Sequence, residues 1–333
     1  MNADHEALVG LAADILRGRT SNEQLAMVEA SQSRADDDLW RELVDAGLVG
    51  IAVPEPHGGA GLGLAELCLV LEQQGRFLAP VPLWETTVAA FALGGGTPDQ
   101  QARWLSGVTA GTTKLSLAAA LSGPQTVRAV DGVLRGSALV SGASDGLVVV
   151  TDQGVFLAEA PAGRPVVTTT HALAFDVDLT GVPAERLDVD GQWVLDVARL
   201  GLIAQQLGVA EAGVREAAQH LSGREQFGRP LATFQATSQQ LGDAYCDVQA
   251  MRVTLWQAVW AMGQGPATKE VAVAAWWATD AAERIQHTVQ HLHGGLGADV
   301  TYPVHRRLLW TMRAGALLGG SSRQLARLGA VVV

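Results

Sequence analysis

Cysteine is nearly absent: Cys68 and Cys246 are the only two, far apart in the chain. That excludes a disulfide framework and a cysteine-built metal centre, and it fits a reducing cytoplasm. Lysine is as scarce, with Lys114 and Lys269 alone, and Lys+Arg total 23 against 34 Asp+Glu. The net charge is −11 and no basic stripe stands out, which argues against a nucleic-acid or anionic-membrane surface. No uncharged apolar run reaches the roughly 18 residues a membrane span needs, and Asp4 and Glu6 stand where a signal peptide would be basic. Generic signatures are missing as well: no G-x-G-x-x-G after a strand, no P-loop, no H-E-x-x-H and no G-x-S-x-G. His287 and His291 are one helical turn apart and His293 follows, but no cysteine or obvious acidic partner lies near, so the expectation is no metal.

What is present is 333 residues, 48% of them hydrophobic and 17% charged, enough for a large core in two or three packed parts. Repeats and low-complexity tracts are absent. Residues 1–112 read as an N-terminal helical domain. Asp36-Asp37-Asp38 precede Leu39, Trp40, Leu43 and Val44, whose spacing makes one apolar face ended by Gly47. Gly58-Gly59-Ala60-Gly61 marks a turn, and helical period resumes at 64–74, 84–93 and 98–105.

Residues 113–190 change pattern. Thr126 to Val130, then Asp131-Gly132, then Val133 to Gly136 is a strand, a tight turn and a strand. Leu147 to Val150 and Val155 to Leu157 repeat it, and 166–170 and 174–179 add two more runs, giving a small antiparallel β domain. From 191 to 333 four long helical runs, 192–222, 231–262, 267–293 and 303–330, are separated by Gly/Pro breaks and predict a four-helix bundle. Trp256, Trp260, Trp276 and Trp277 fit core or oligomer packing better than ligand binding. The residues by themselves reach an α+β, mainly α, soluble oligomer and no further.

Several strings, in this order of blocks, resemble the acyl-CoA dehydrogenase family across nearly the whole chain. They are Trp40-Arg41-Glu42-Leu43, Ala46-Gly47-Leu48, Val53-Pro54 and Gly58 to Leu62, then Arg224-Glu225-Gln226-Phe227-Gly228-Arg229-Pro230-Leu231 with Phe234-Gln235, and His293-Gly294-Gly295-Leu296-Gly297 with Tyr302-Pro303. The resemblance implies α,β-dehydrogenation of an acyl-CoA thioester, in which a carboxylate takes the α-proton and the β-hydrogen leaves as hydride to FAD. It also implies a flavin shared across subunits, with Arg224 on the pyrophosphate, Phe227 packed on the cofactor and Gln235 hydrogen-bonded to it. Gly294 and Gly295 would admit the adenosine end closely, beside His291, which stands where the family usually has glutamine.

The same resemblance exposes departures. The family's catalytic glutamate sits at one of two positions, and here Ala198 and Gly319 occupy them. The loop that would cover the flavin ring reads Ala118-Ala119-Ala120-Leu121-Ser122-Gly123-Pro124, with Leu139 to Gly142 following, and has lost the family's donors. The resemblance therefore implies a non-catalytic subunit of a heteromer of the kind found in steroid-degrading actinobacteria. Its partners would be a homologous acyl-CoA dehydrogenase subunit in a heterotetramer, a steroid-derived acyl-CoA substrate and an electron-accepting flavoprotein. Two alternatives stay open. One is a self-sufficient homomer with a relocated base, for which Asp196 points about 160° away from position 198 on an ideal helix, Glu225 suits a surface or ion-pair role and Asp243 and Asp247 suit structural contacts. The other is a non-enzymatic CoA-ester binder or scaffold.

Overall fold

Three short polar side chains start the first three helices. Asn2, Ser21 and Asp36 accept hydrogen bonds from the first-turn amides of α1 (Ala3–Arg19), α2 (Asn22–Ala30) and α3 (Asp37–Asp45). The structure, a computed structural model, describes residues 2–170 and 172–332. Positions 1, 171 and 333 lie outside the described residues. In α3 the expected face is the buried one, with Leu39, Trp40 and Leu43 inside, and Gly47 leaves it at a φ of 74°. At Gly59 a Cβ would overlap the Val53 carbonyl, so the glycine loop passes backbone against backbone. Three more helices follow: α4 (Leu64–Phe77), α5 (Leu83–Leu93) and α6 (Pro98–Thr109).

The middle of the chain folds into two four-stranded sheets rather than one. The first has order β1 (Leu115–Ala118), β4 (Gly146–Thr151), β5 (Gly154–Glu159), β8 (Glu185–Leu187). The second has order β2 (Val127–Val130), β3 (Val133–Ser141), β7 (Leu173–Asp178), β6 (Arg164–Val167). Asp131 and Gly132 both take positive φ, 52° and 75°, which is the tight turn their sequence predicts between β2 and β3. Pairing is antiparallel except for β1 with β4, where Leu115 lies beside Gly146 and Leu117 beside Val148 in parallel register. Val127, Leu134, Val140, Leu147, Val149, Phe156, Val177 and Leu179 form one buried cluster.

The remaining helices are α7 (Gly191–Gly223), α8 (Gln235–Met262), α9 (Thr268–Leu292), α10 (His305–Leu318) and α11 (Gly320–Val332). The single fourth run expected over 303–330 is thus two helices. Gly319 and Gly320 take φ of 88° and 76°, a left-handed pair that ends α10 and restarts the chain as α11. Between α7 and α8, β9 (Glu225–Gln226) and β10 (Arg229–Pro230) make a two-stranded hairpin.

By packing, the chain divides into two compact units. One takes in the chain up to Leu71 with Ala79–Gly201; the other takes in Glu72–Leu78 with the chain from Leu202 on. Within the second unit the end of α4 crosses α7 with backbones in contact. A Cβ on Gly75 would overlap the Gln205 carbonyl, and one on Gly208 would overlap the Glu72 carbonyl. Gln205 Nε2 donates to Gln74 Oε1 at 2.6 Å across the same crossing.

A charge network closes around it. Glu72 is buried and accepts from Arg252 at 3.0 Å, while Glu211 receives both Arg76 and Arg252, the latter at 3.2 Å. Burial pushes the Glu72 carboxyl above the usual range, and Arg252 and Arg76 offset this only in part. Burial acts the same way on Glu211, but there Arg76 and Arg252 win and hold it low. Glu72→Ala is expected to cost about 3 kcal/mol, because it breaks a buried ion pair and leaves Arg252 with Glu211 as its remaining carboxylate; urea unfolding checks this, and Glu72→Gln should recover part of the loss.

Candidate functional site

A cleft of about 730 Å³ in the second unit is lined from four directions. His220 and Leu221 come from the end of α7, with Arg224 just past it and Gln226 on the hairpin. Ala236, Thr237 and Gln240 come from the first turns of α8. His291, Leu292 and His293 close it from the end of α9, with Gly294, Gly295 and Leu296 on the turn beyond. Chain folding thus brings Arg224, His291, Gly294 and Gly295 to one place from strings far apart in sequence. Phe227 and Gln235 are outside the lining.

Each wall has a reason. The Arg224 amide bonds back to the His220 carbonyl at 2.9 Å, and its carbonyl accepts from Leu231 N at 2.8 Å, so the residue is fixed where α7 gives way to the hairpin. A cation there also faces the negative end of α7. The α8 N-terminus opens on the same cleft, and its N-cap Phe234 supplies no side-chain hydrogen bond to the first-turn amides. An unsatisfied helix N-terminus beside a guanidinium is a phosphate-shaped pairing. Gly294 has a φ of 59°, and a Cβ added at Gly294 or Gly295 would meet nothing within 4 Å. That is an open cradle that a side chain would fill.

Phe227 sits at the hairpin tip with a φ of 54°, followed by Gly228 at 78°. A bulky residue in the left-handed region is strained by about 1 kcal/mol or more, and here the ring is also 89% exposed. It touches Phe234 edge-on at 6.1 Å, and Arg229 lies 4.1 Å over the Phe234 ring. Gln235 is the exposed first residue of α8. Both are presented outward, which suits a group held outside this chain. Phe227→Gly is expected to change folding stability by less than about 1 kcal/mol, despite removing a large aromatic, and to weaken retention of whatever the tip grips; thermal unfolding and ligand content check the two halves.

Sequence reasoning did not single out His220, and weighed His293 as part of a motif and of a histidine group set aside as a metal site. Their rings stack at 4.6 Å in the cleft wall. The spacing of His220 four residues before Arg224 was the available sign, since it puts both at one helix end.

The two positions assigned to a base look different from this cleft. Ala198 is fully buried in α7, and its carbonyl accepts from Trp84 Nε1 at 3.0 Å. Gly319 ends α10 in the left-handed region. Asp196 is buried and bonded to Arg199 Nη1 at 2.6 Å, while Arg199 Nε and Nη2 both donate to the Leu121 carbonyl, at 2.9 and 2.7 Å. That pins the loop 118–124, which also turns on itself: Ala120 N donates to Gln125 Oε1, and Gln125 Nε2 donates to Ala120 O. Asp247 holds Arg284 with both oxygens, at 3.0 and 3.1 Å. Among the described residues no three of His, Cys, Asp and Glu converge as metal ligands, and no helix is long and apolar enough to cross a membrane.

Family models decide the identity. The acyl-CoA dehydrogenase N-terminal domain matches residues 2–112, and the acyl-CoA dehydrogenase C-terminal domain matches 191–332. The chain belongs to the acyl-CoA dehydrogenase family. Members are oxidoreductases of this mainly helical fold that bind FAD. The chain is 35% identical to the acyl-CoA dehydrogenase FadE27 of Mycobacterium tuberculosis, over 97% of this chain and 95% of that one. Among solved structures it is similar to a steroid ACAD, Tcur3481–Tcur3483, at 42% identity and a TM-score of 0.93, covering 99% and 97% of the two chains. It is also similar to the ChsE4–ChsE5 complex of Mycobacterium tuberculosis, at 33% identity and a TM-score of 0.92, covering 100% and 98%. The acyl-CoA dehydrogenase relatives therefore include subunits of heteromeric steroid enzymes.

Proposed function

We propose that this chain is the non-catalytic subunit of a heteromeric acyl-CoA dehydrogenase, completing an FAD site held mainly by a homologous partner subunit in a heterotetramer. The observation that carries the reading is a contrast within one chain. The cleft keeps a guanidinium, a free helix N-terminus and a glycine cradle, all suited to a dinucleotide diphosphate and adenosine, while neither base position bears a group able to take a proton. When bound, FAD supplies the hydride acceptor for forming a double bond between the α and β carbons of a CoA thioester.

This chain's own residues would bind and orient. Arg224 and the α8 amides would hold the diphosphate, Gly294 and Gly295 would admit the adenosine end beside His291, and Phe227 and Gln235 would reach outward to the shared cofactor. The base would then come from the partner subunit. Its substrate would be a steroid-derived acyl-CoA, in line with the steroid enzymes it is similar to, and its electrons would pass to an acceptor flavoprotein. Cys68 and Cys246 are in no disulfide, which fits a cytoplasmic setting. A base relocated to Asp196 has against it the buried bond of that carboxylate to Arg199. Flavin stoichiometry tests the proposal: one FAD per pair of chains is expected in the purified complex, whereas a self-sufficient homomer requires one per chain.

A further inference from the structure

His220 and His293 meet face to face in the wall of the cleft, their ring centroids 4.6 Å apart and their planes 28° from parallel. His293 is held firmly. It is buried, its Nδ1 donates to the Val289 carbonyl at 2.7 Å, and its ring lies 5.6 Å from Tyr302. Because a carbonyl can only accept, Nδ1 is the donor of this bond and carries the hydrogen. His220 lies in the last turn of α7, four residues before Arg224.

The groups facing this pair are Arg224 beyond its own helix, His291 on α9 and Tyr302 after it; Ala236, Thr237 and Gln240 of α8 carry no charge. Among the described residues neither ring has a carboxylate at ion-pair distance. Burial first, then His293 and Arg224, hold His220 below the usual imidazole range. His220 is therefore neutral near pH 7 before an anion binds. An anion seated on Arg224 reverses the local field: it offsets the guanidinium that opposed protonation and attracts an imidazolium.

We propose that the His220–His293 pair is a proton-linked second cation of this site, taking up one proton when a diphosphate binds at Arg224. The inference rests on reading the cleft as a dinucleotide half-site. One proton is the limit, because each stacked ring opposes a second charge on the other. Affinity for the diphosphate then rises as pH falls, by up to about tenfold per pH unit between the titration points of the empty and the occupied pair.

The test uses the full chain in complex with its co-expressed partner, freed of flavin and titrated with FAD from about pH 5.5 to about pH 8.5, across the imidazole range. Flavin fluorescence reads affinity, and calorimetry in buffers of different ionisation enthalpy reads proton uptake. Expected are tightening as pH falls and uptake of about one proton, with both reduced in His220→Phe and in His220→Tyr, the second variant guarding against a packing defect in the first. A flat wild-type profile, or a slope that both variants keep, while Arg224→Gln still abolishes binding, overturns the proton linkage and leaves the half-site standing. FAD affinity unchanged by Arg224→Gln overturns the half-site and the linkage together.

Discussion

Gly208→Ala is expected to prevent the chain from reaching its native fold. The added Cβ would overlap the Glu72 carbonyl oxygen and lie 2.7 Å from Arg76 N, both of them backbone of α4. Neither neighbour is the flexible end of a side chain, so relief requires the two helices to part. Parting them would break the Gln205–Gln74 hydrogen bond and draw Glu72 off Arg252. Overpacking and a disrupted buried ion pair together cost more than about 3 kcal/mol, a large share of the stability of any domain. Urea unfolding checks it, with Gly223→Ala as the control, since a Cβ there meets nothing within 4 Å. Equal midpoints for the two variants would show that α4 and α7 do not cross as closely as described.

Arg224→Gln is expected to empty the flavin site of the complex without unfolding this chain. The side chain is exposed, so its loss leaves the packing untouched. What is removed is a charge-assisted contact to phosphate, worth about 2 kcal/mol or more, which lowers flavin affinity by at least about tenfold. The absorbance of the purified complex near the flavin band, divided by protein concentration, reads this directly. Asp196→Asn should behave in the opposite way: it weakens a buried ion pair and lowers stability, while flavin content is retained. A scaffold with no flavin contact predicts no change in colour for Arg224→Gln.

Local features were legible in the sequence because their causes are local. The Asp36 cap, the buried stripe of α3 and the Asp131-Gly132 turn each depend on residues a few positions apart. The string from Arg224 to Leu231 announced the break between α7 and α8 and the cation beside it, but not the two-stranded hairpin that fills the break. The division of the strands into two sheets was not legible, since it turns on Leu115 pairing in parallel with Gly146, a partner that no local spacing selects. Gly319 and Gly320 fall inside the single helical run expected over 303–330, and only their left-handed backbone splits α10 from α11. Gly75 and Gly208 look like ordinary helix interruptions until α4 and α7 cross. The capture of the Leu121 carbonyl by Arg199 and the stacking of His220 on His293 are likewise tertiary events. In the site, then, Arg224, His293, Gly294 and Gly295 carried a motif, and His220, which stacks on His293 in the same wall, did not.

The visible spectrum of this chain, purified alone and then co-expressed with its homologous subunit, tests the central claim most directly. A colourless chain alone and a yellow complex, its flavin lost in Arg224→Gln, is the predicted result. A yellow chain alone, with turnover that Asp196→Asn abolishes, would contradict the shared site and return the base to this polypeptide.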